Sequence, residues 1–216
     1  MGLNCGCPVG SSLETLKDQQ CKSSFGQIQK LLFQRRTDGH GALNLIAATD
    51  IVKKVAWEEL IGAGNDTAVT VSPELSNPET EPGAARTFGG DNQTPGGIQI
   101  IVGREATQFT GAFYELDQSI VKIMKSYQCE DLTVYFVDEY GNIGCLVAGV
   151  SQGAATHYKG VPIKSLFIGD KDFGGLTDPD SNIISFNMLP NWSDDFVIIK
   201  QSSMDFNPVV DLNNAL

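Results

Sequence analysis

Residues 132–149 read LTVYFVDEYGNIGCLVAG, two apolar runs on either side of a polar break centred on Tyr140-Gly141-Asn142. Each run is rich in β-branched and aromatic residues, which favour a pleated backbone, and the break carries residues that tolerate a tight reversal. The stretch therefore predicts a β-hairpin, the strongest local signal in the chain. Just upstream, TQFTGAFYEL (107–116) alternates, with Phe109 and Phe113 on one face beside Gly111. Asp117 then stands as an N-cap for DQSIVKIMKSYQ, whose apolar residues Ile120, Ile123, Met124 and Tyr127 recur at helical spacing.

The same reading extends in both directions. PIKSLFIGD (162–170), NIISFNM (182–188) and DFVIIKQS (195–202) read as strands, as does FGQIQKLLFQRR from Phe25, with Ile28, Leu31, Leu32 and Phe33 apolar. TDIVKKVAWEELI (49–61) predicts a helix capped by Thr49 or Asp50, with Val52, Val55, Ala56 and Leu60 as its apolar face and Gly62 and Gly64 as its stop. Many strands, one clear central helix and short turns define a mainly β (α+β) chain: a sandwich or barrel with one packed helix. No internal repeat is present.

Two segments do not fit that core. Residues 1–24 are small and polar and read as an N-terminal arm, leaving 25–216 as one β domain. Within 62–97, TAVTVS (67–72) can form a strand. Pro73, Pro78, Pro82 and Pro95 argue against any long regular element there, and GGDNQTPGG (89–97) reads as a flexible loop. That loop is glycine-rich but leads into the strand IQIIVG (98–103), without the lysine and helix N-terminus of a phosphate-binding loop. No nucleotide is expected.

The chain has 216 residues, 41% hydrophobic and 19% charged, with a mean hydropathy of −0.09. That charged fraction is below the roughly 25% usual for globular proteins, so much of the surface is neutral or apolar. No run approaches the ~18 apolar residues of a membrane span and no apolar leader follows Met1, so neither membrane residence nor ordinary secretion is expected. Met1-Gly2-Leu3-Asn4-Cys5-Gly6 imitates a myristoylation start, but Gly6 replaces the required Ser or Thr.

Net charge is −11. Residues 1–60 hold seven basic and six acidic side chains, which leaves eight basic and twenty acidic, net −12, for 61–216. A protein that grips phosphates needs the opposite sign. An acidic body suits solubility, a cationic partner, or a surface that nucleic acid slides past without sticking.

Residues that might carry chemistry do not form a pattern. Cys5, Cys7 and Cys21 could begin a zinc site, with His40 as a distant fourth ligand, but no second close pair completes it; an odd count of five cysteines reads as free thiols in a reducing compartment. Cys145 and His157 could be imagined as a nucleophile and base. Cys145 lies inside the hairpin, where a thiol packs as a small hydrophobe, and His157 reads as a loop residue. Asp178-Pro179-Asp180-Ser181-Asn182 imitates the first half of a calcium loop, yet Ile183 and Leu189 stand where glycine and a bidentate glutamate belong. With Asp170 and Asp172, these acids read as turn chemistry. Asp138-Glu139 and Asp194-Asp195 read as turn and strand-end acids, and Trp57 and Trp192 as core residues instead of a base-stacking platform. No catalytic, cofactor-binding or metal residue is assigned, and the expectation is a protein that is not an enzyme.

Three longer stretches are similar to one group of proteins. They are CxxxFGQIQKLLFQR (21–35), SPELSNPETEPGAARTFGGDNQTPGGIQIIVG (72–103) running into TQFTGAFYEL, and CEDLTVYFVDEYGNIG (129–144). With FIGDKDFGGLTDPD (167–180), they resemble virion structural proteins of tailed phages of Bacteroides-type gut bacteria, crAss-like phages included. The order of elements resembles the tail-tube fold. That resemblance implies a homo-oligomeric ring of the tail (tube, hub or connector layer) in a virion assembled in the bacterial cytoplasm. Its partners would be itself and adjacent tail or connector proteins, and DNA would pass through without specific binding. The alternative is a head-decoration or fibre-like protein that binds host glycan through exposed aromatics and the loops around Asp170–Asn182.

Overall fold

The computed structural model describes residues 24–214. In chain order it forms β1 (Ile28–Arg35), β2 (Ile46–Ala47), α1 (Lys54–Ile61), β3 (Val69–Val71), β4 (Ser76–Glu81), β5 (Ala85–Gly89), β6 (Gln99–Arg104) and β7 (Thr107–Tyr114). Then come α2 (Gln118–Ser126), β8 (Leu132–Asp138), β9 (Ile143–Ser151), β10 (Ala154–Lys159), β11 (Val161–Ile168), β12 (Ser181–Met188), β13 (Phe196–Ile199) and α3 (Pro208–Asp211). The fold is mainly β with few helices, as the sequence predicts. Every strand pairing among the described residues is antiparallel.

The centre of the molecule is the pair β1–β8, with Phe33 opposite Val134 and Leu31 opposite Phe136. Both strands are covered on both faces, which is why their apolar runs are continuous instead of alternating. On one face Leu31, Phe33, Val134 and Phe136 meet Phe109, Phe113, Ile184 and Phe186. Phe109 and Phe186 stack there with ring centroids 4.6 Å apart. On the other face Leu32, Tyr135 and Val137 meet Ile51, Trp57, Ile143, Cys145 and Leu212. Trp57 packs edge-on to Tyr135 at 5.3 Å, and its Nε1 donates to Ile51 O at 2.8 Å.

The sheet curls around the first core because β11 pairs with two different strands in succession. Val161 and Pro162 pair with β8, and Ile163 onward pairs with β12. A register shift between Lys164 and Phe167, with Ser165 at φ 55°, marks the bend. The order β8-β11-β12-β7-β4 continues the curl. Leu75 N then donates to Gln29 O at 2.7 Å, which brings the chain ahead of β4 back beside β1. The result is a half-barrel with Val121 and Met124 of α2 packed into it.

The central hairpin turn is held by one carboxylate. Asp138 is fully buried and accepts N–H groups from Gly26 (2.9 Å), Tyr140 (3.0 Å) and Asn142 (2.8 Å), while Gly141 takes the left-handed conformation, φ 80°, that the reversal requires.

Several expectations are corrected. The helix expected over 49–61 begins only at Lys54; residues 49–52 form turns, and neither Thr49 nor Asp50 caps it. Trp57, not Val55, is the buried anchor of α1, and Val55 is exposed. The inward face of α2 is Val121 and Met124, so Ile120 and Ile123 face outward. Asp117 does cap α2, accepting Ser119 N at 2.7 Å. Segment 62–97 holds β4 and β5 as well as the expected strand β3: Pro78 sits within a strand at the sheet edge, where a missing N–H costs no ladder bond. The strand expected over 195–202 is confined to Phe196–Ile199. The arm 1–24, apart from Ser24, lies outside the described residues.

Candidate functional site

No chemical centre is assembled among the described residues. Cys145 is fully buried in the second core, where desolvation pushes its thiol up to about 12, far from the range of a nucleophilic thiolate. His157 is not in a loop: it lies in β10, opposite Ala47 and Gly149, with an exposed ring near Thr156 Oγ1 at 3.2 Å. The structure does not bring the two together. Cys5, Cys7 and Cys21 lie outside the described residues, and His40 is exposed in a turn.

The acidic loop is also dispersed. Asp170 pairs with Lys125 from α2, Asp180 sits 3.6 Å from Lys171 and accepts Gly174 N at 3.3 Å, and Asn182 is buried with its Nδ2 donating to Gly169 O at 3.1 Å. Among the described residues no three His, Cys, Asp or Glu side chains gather as a metal site. No helix there is long and apolar enough to cross a membrane.

What stands out is apolar surface. β5 and β6 form a two-stranded ribbon that pairs with no other strand among the described residues. Phe88 faces Ile100 across it and Thr87 faces Ile101, so successive apolar side chains fall on opposite faces. Ile98 is 66% exposed, Ile101 is 55% exposed, and Phe88, Ile100 and Val102 are exposed as well. A lone ribbon is marginal in water, and an apolar one with two open edges is normally covered. At the tip, Thr94 Oγ1 accepts Gly90 N at 3.2 Å and donates to Ile98 O at 2.5 Å, so the glycine-rich turn is folded. At the root, Glu105 N donates to Ala84 O at 2.9 Å, and a Cβ on Gly83 would lie 2.1 Å from Glu105 O. Only glycine permits the two strands to leave the body so close together.

A second apolar feature is a groove of about 630 Å³ between α2 and β3, lined by Ile61, Val71, Pro73, Ile120, Ile123 and Tyr127 among others. Its Phe33–Tyr127 end adjoins an ion cluster. Arg35 there donates to Glu130 through Nε (3.0 Å) and Nη2 (2.8 Å) and also pairs with Asp66. Two carboxylates on one guanidinium leave that end net negative.

The sequence signals for both features were partial. The alternation-free IQIIVG predicts a strand but not that, among the described residues, β5 is its sole partner. The i, i+3 spacing of Ile120 and Ile123 predicts a core face, whereas both line the groove between α2 and β3.

No family model matches the chain, and no curated protein matches it. Among solved structures, it is similar to a chain from the tail of an empty GTA particle, computed with helical refinement in C6 symmetry. That similarity covers 58% of this chain and 81% of that one, at 11% identity and a TM-score of 0.32.

Proposed function

We propose that this chain is a structural subunit of a tailed-phage virion, of the Bacteroides-phage type its sequence resembles, which assembles with copies of itself into a ring of the tail around a DNA channel. The observation that carries the reading is the β5–β6 ribbon: an exposed apolar arm that pairs with no other strand among the described residues is suited to docking on a neighbour. The acidic body agrees, since a conduit must not bind the phosphates moving through it. The low charged fraction agrees as well, since assembly cores are depleted of charge. The arm 1–24 would add a second contact to neighbouring subunits or adjacent tail proteins.

Light scattering and negative-stain microscopy of the purified protein test this. Rings or stacked tubes with an open centre are the expected result. A native chain that stays monomeric at its highest soluble concentration overturns it. One observation favours a second reading, head decoration or host-glycan binding: Phe173 and Leu176 are almost wholly exposed on the loop between β11 and β12. Compact trimers that bind glycan through that loop would replace the ring.

A further inference from the structure

We propose that residues 207–214 form a strap: it plugs the open edge of β3 with one side chain, is clasped by Lys30, and lifts off as a unit while the rest of the body stays folded. Nothing in it depends on self-assembly.

Three observations carry it. The first is the plug. Among the described residues β3 pairs with β1 alone, and Ser72 N, at its end, donates to Leu31 O at 2.8 Å. Val71, one residue earlier, turns its backbone groups the other way, toward the open edge. There Asn214 Oδ1 accepts Val71 N at 2.8 Å, and Asn214 Nδ2 donates to Val71 O at 2.7 Å. A side-chain amide thus makes the two bonds that a neighbouring strand would make. Unpaired edge groups are a template for adding a strand, and the plug withholds them.

The second is the clasp. Lys30 is only 6% exposed, and its ammonium donates to Val209 O (2.6 Å), Leu212 O (3.1 Å) and Asn213 Oδ1 (3.3 Å). All three N–H groups of the ammonium go to the strap, and it forms no ion pair with a described residue. Val209 O and Leu212 O lie at the end of α3, where carbonyls have no helical donor. Desolvation lowers the pKa of Lys30, with Glu74 opposing, so the clasp holds a cation away from its hydration. Lifting the strap returns it to water, which makes closure reversible.

The third is the boundary. α3 is closed on itself: Asn207 Oδ1 accepts Val209 N at 3.1 Å, and Asp211 Oδ2 accepts Asn207 N at 2.7 Å. The chain ahead is pinned, because Asp205 N donates to Val52 O at 3.1 Å and Phe206 is buried in the second core. Among described residues beyond Phe206, only Pro208 and Leu212 are buried. Few buried apolar anchors mark a unit that opens below the global transition.

Amide hydrogen exchange of the full-length chain, followed by NMR and corrected for intrinsic rates, tests this. Val71 N–H should exchange roughly 100-fold faster than Ser72 N–H, since the first needs only the strap to lift and the second needs β3 to leave β1. Equal rates in the native chain would overturn the strap, and that comparison needs no variant. Lys30→Met keeps the side chain's length and removes its donors; it should speed Val71 by about tenfold more and leave Ser72 unchanged. Equal acceleration of both amides would overturn the clasp, because Lys30 would then hold the whole fold. Asn214→Ala, at an exposed position, should bring Val71 to the rate of an unbonded amide. Continued protection there would overturn the plug.

Discussion

Asp205 caps helix α1 from 151 residues away: its Oδ1 accepts the backbone N–H of Lys54 at 2.8 Å. Asp205 N in turn donates to Val52 O at 3.1 Å, so the C-terminal segment and the start of α1 hold each other. An N-cap supplied by tertiary contact satisfies the same orphan donor as a local one. Asp205→Ala should therefore cost about 1 kcal/mol in urea denaturation, and Asp205→Asn should retain most of the native stability. Equal losses from the two variants would show that the carboxylate acts through its charge.

Trp57 should be the most costly single truncation in the second core. It is fully buried, bonded to Ile51 O and packed on Tyr135. Trp57→Ala should destabilise by about 3–5 kcal/mol, measured by denaturant midpoint at unchanged slope. A loss below 1 kcal/mol would mean that α1 is not seated on β8.

Alkaline pH should weaken the fold through the same core. Desolvation raises the Cys145 thiol from 9.0 to about 12 and raises the Tyr135 phenol as well. The folded state thus keeps protons that the unfolded state releases, and stability from the neutral thiol is complete below pH 9 and lost as pH rises toward 12. Each such group contributes a fall of about 1.4 kcal/mol per pH unit inside its window. Cys145→Ala should have a shallower decline in melting temperature between pH 9 and 11 than the native chain; parallel curves would contradict this.

Excising the ribbon should leave the body intact. Among the described residues β5 and β6 pair only with each other, and their root is closed by the Ala84–Glu105 hydrogen bond. Replacing residues 85–104 with a two-residue turn should leave the melting temperature within a few degrees of native and abolish self-assembly. A large fall in melting temperature would make the ribbon part of the core.

The strands that carry the fold were readable because they satisfy local and global demands together. Phe109 and Phe113 alternate toward one core and Asp117 caps its own helix, so near-neighbour pattern and tertiary outcome agree. Misreadings fall where a distant residue decides. Lys54 opens α1 with its N–H held by the distant Asp205, and β10, AATHYK, gains its place from β9 on one side and two residues of β2 on the other. Ile120 and Ile123 show the converse: apolar spacing gives the face of a helix but not whether its own chain covers that face. The candidate site was legible only as a proline- and glycine-rich interruption, since one chain's periodicity shows where apolar residues recur but not what, if anything, covers them.

Leu31 and Leu32 are consecutive residues of β1 that belong to opposite cores, and β8 is divided in the same way. The β1–β8 pair is thus a party wall, and neither compartment can be emptied without stripping the other. The two tryptophans sit on either side of it, Trp192 against the first core and Trp57 inside the second. Their fluorescence should therefore change in a single step on unfolding. The consequence is mechanical: the described body has no seam along which it can yield by halves.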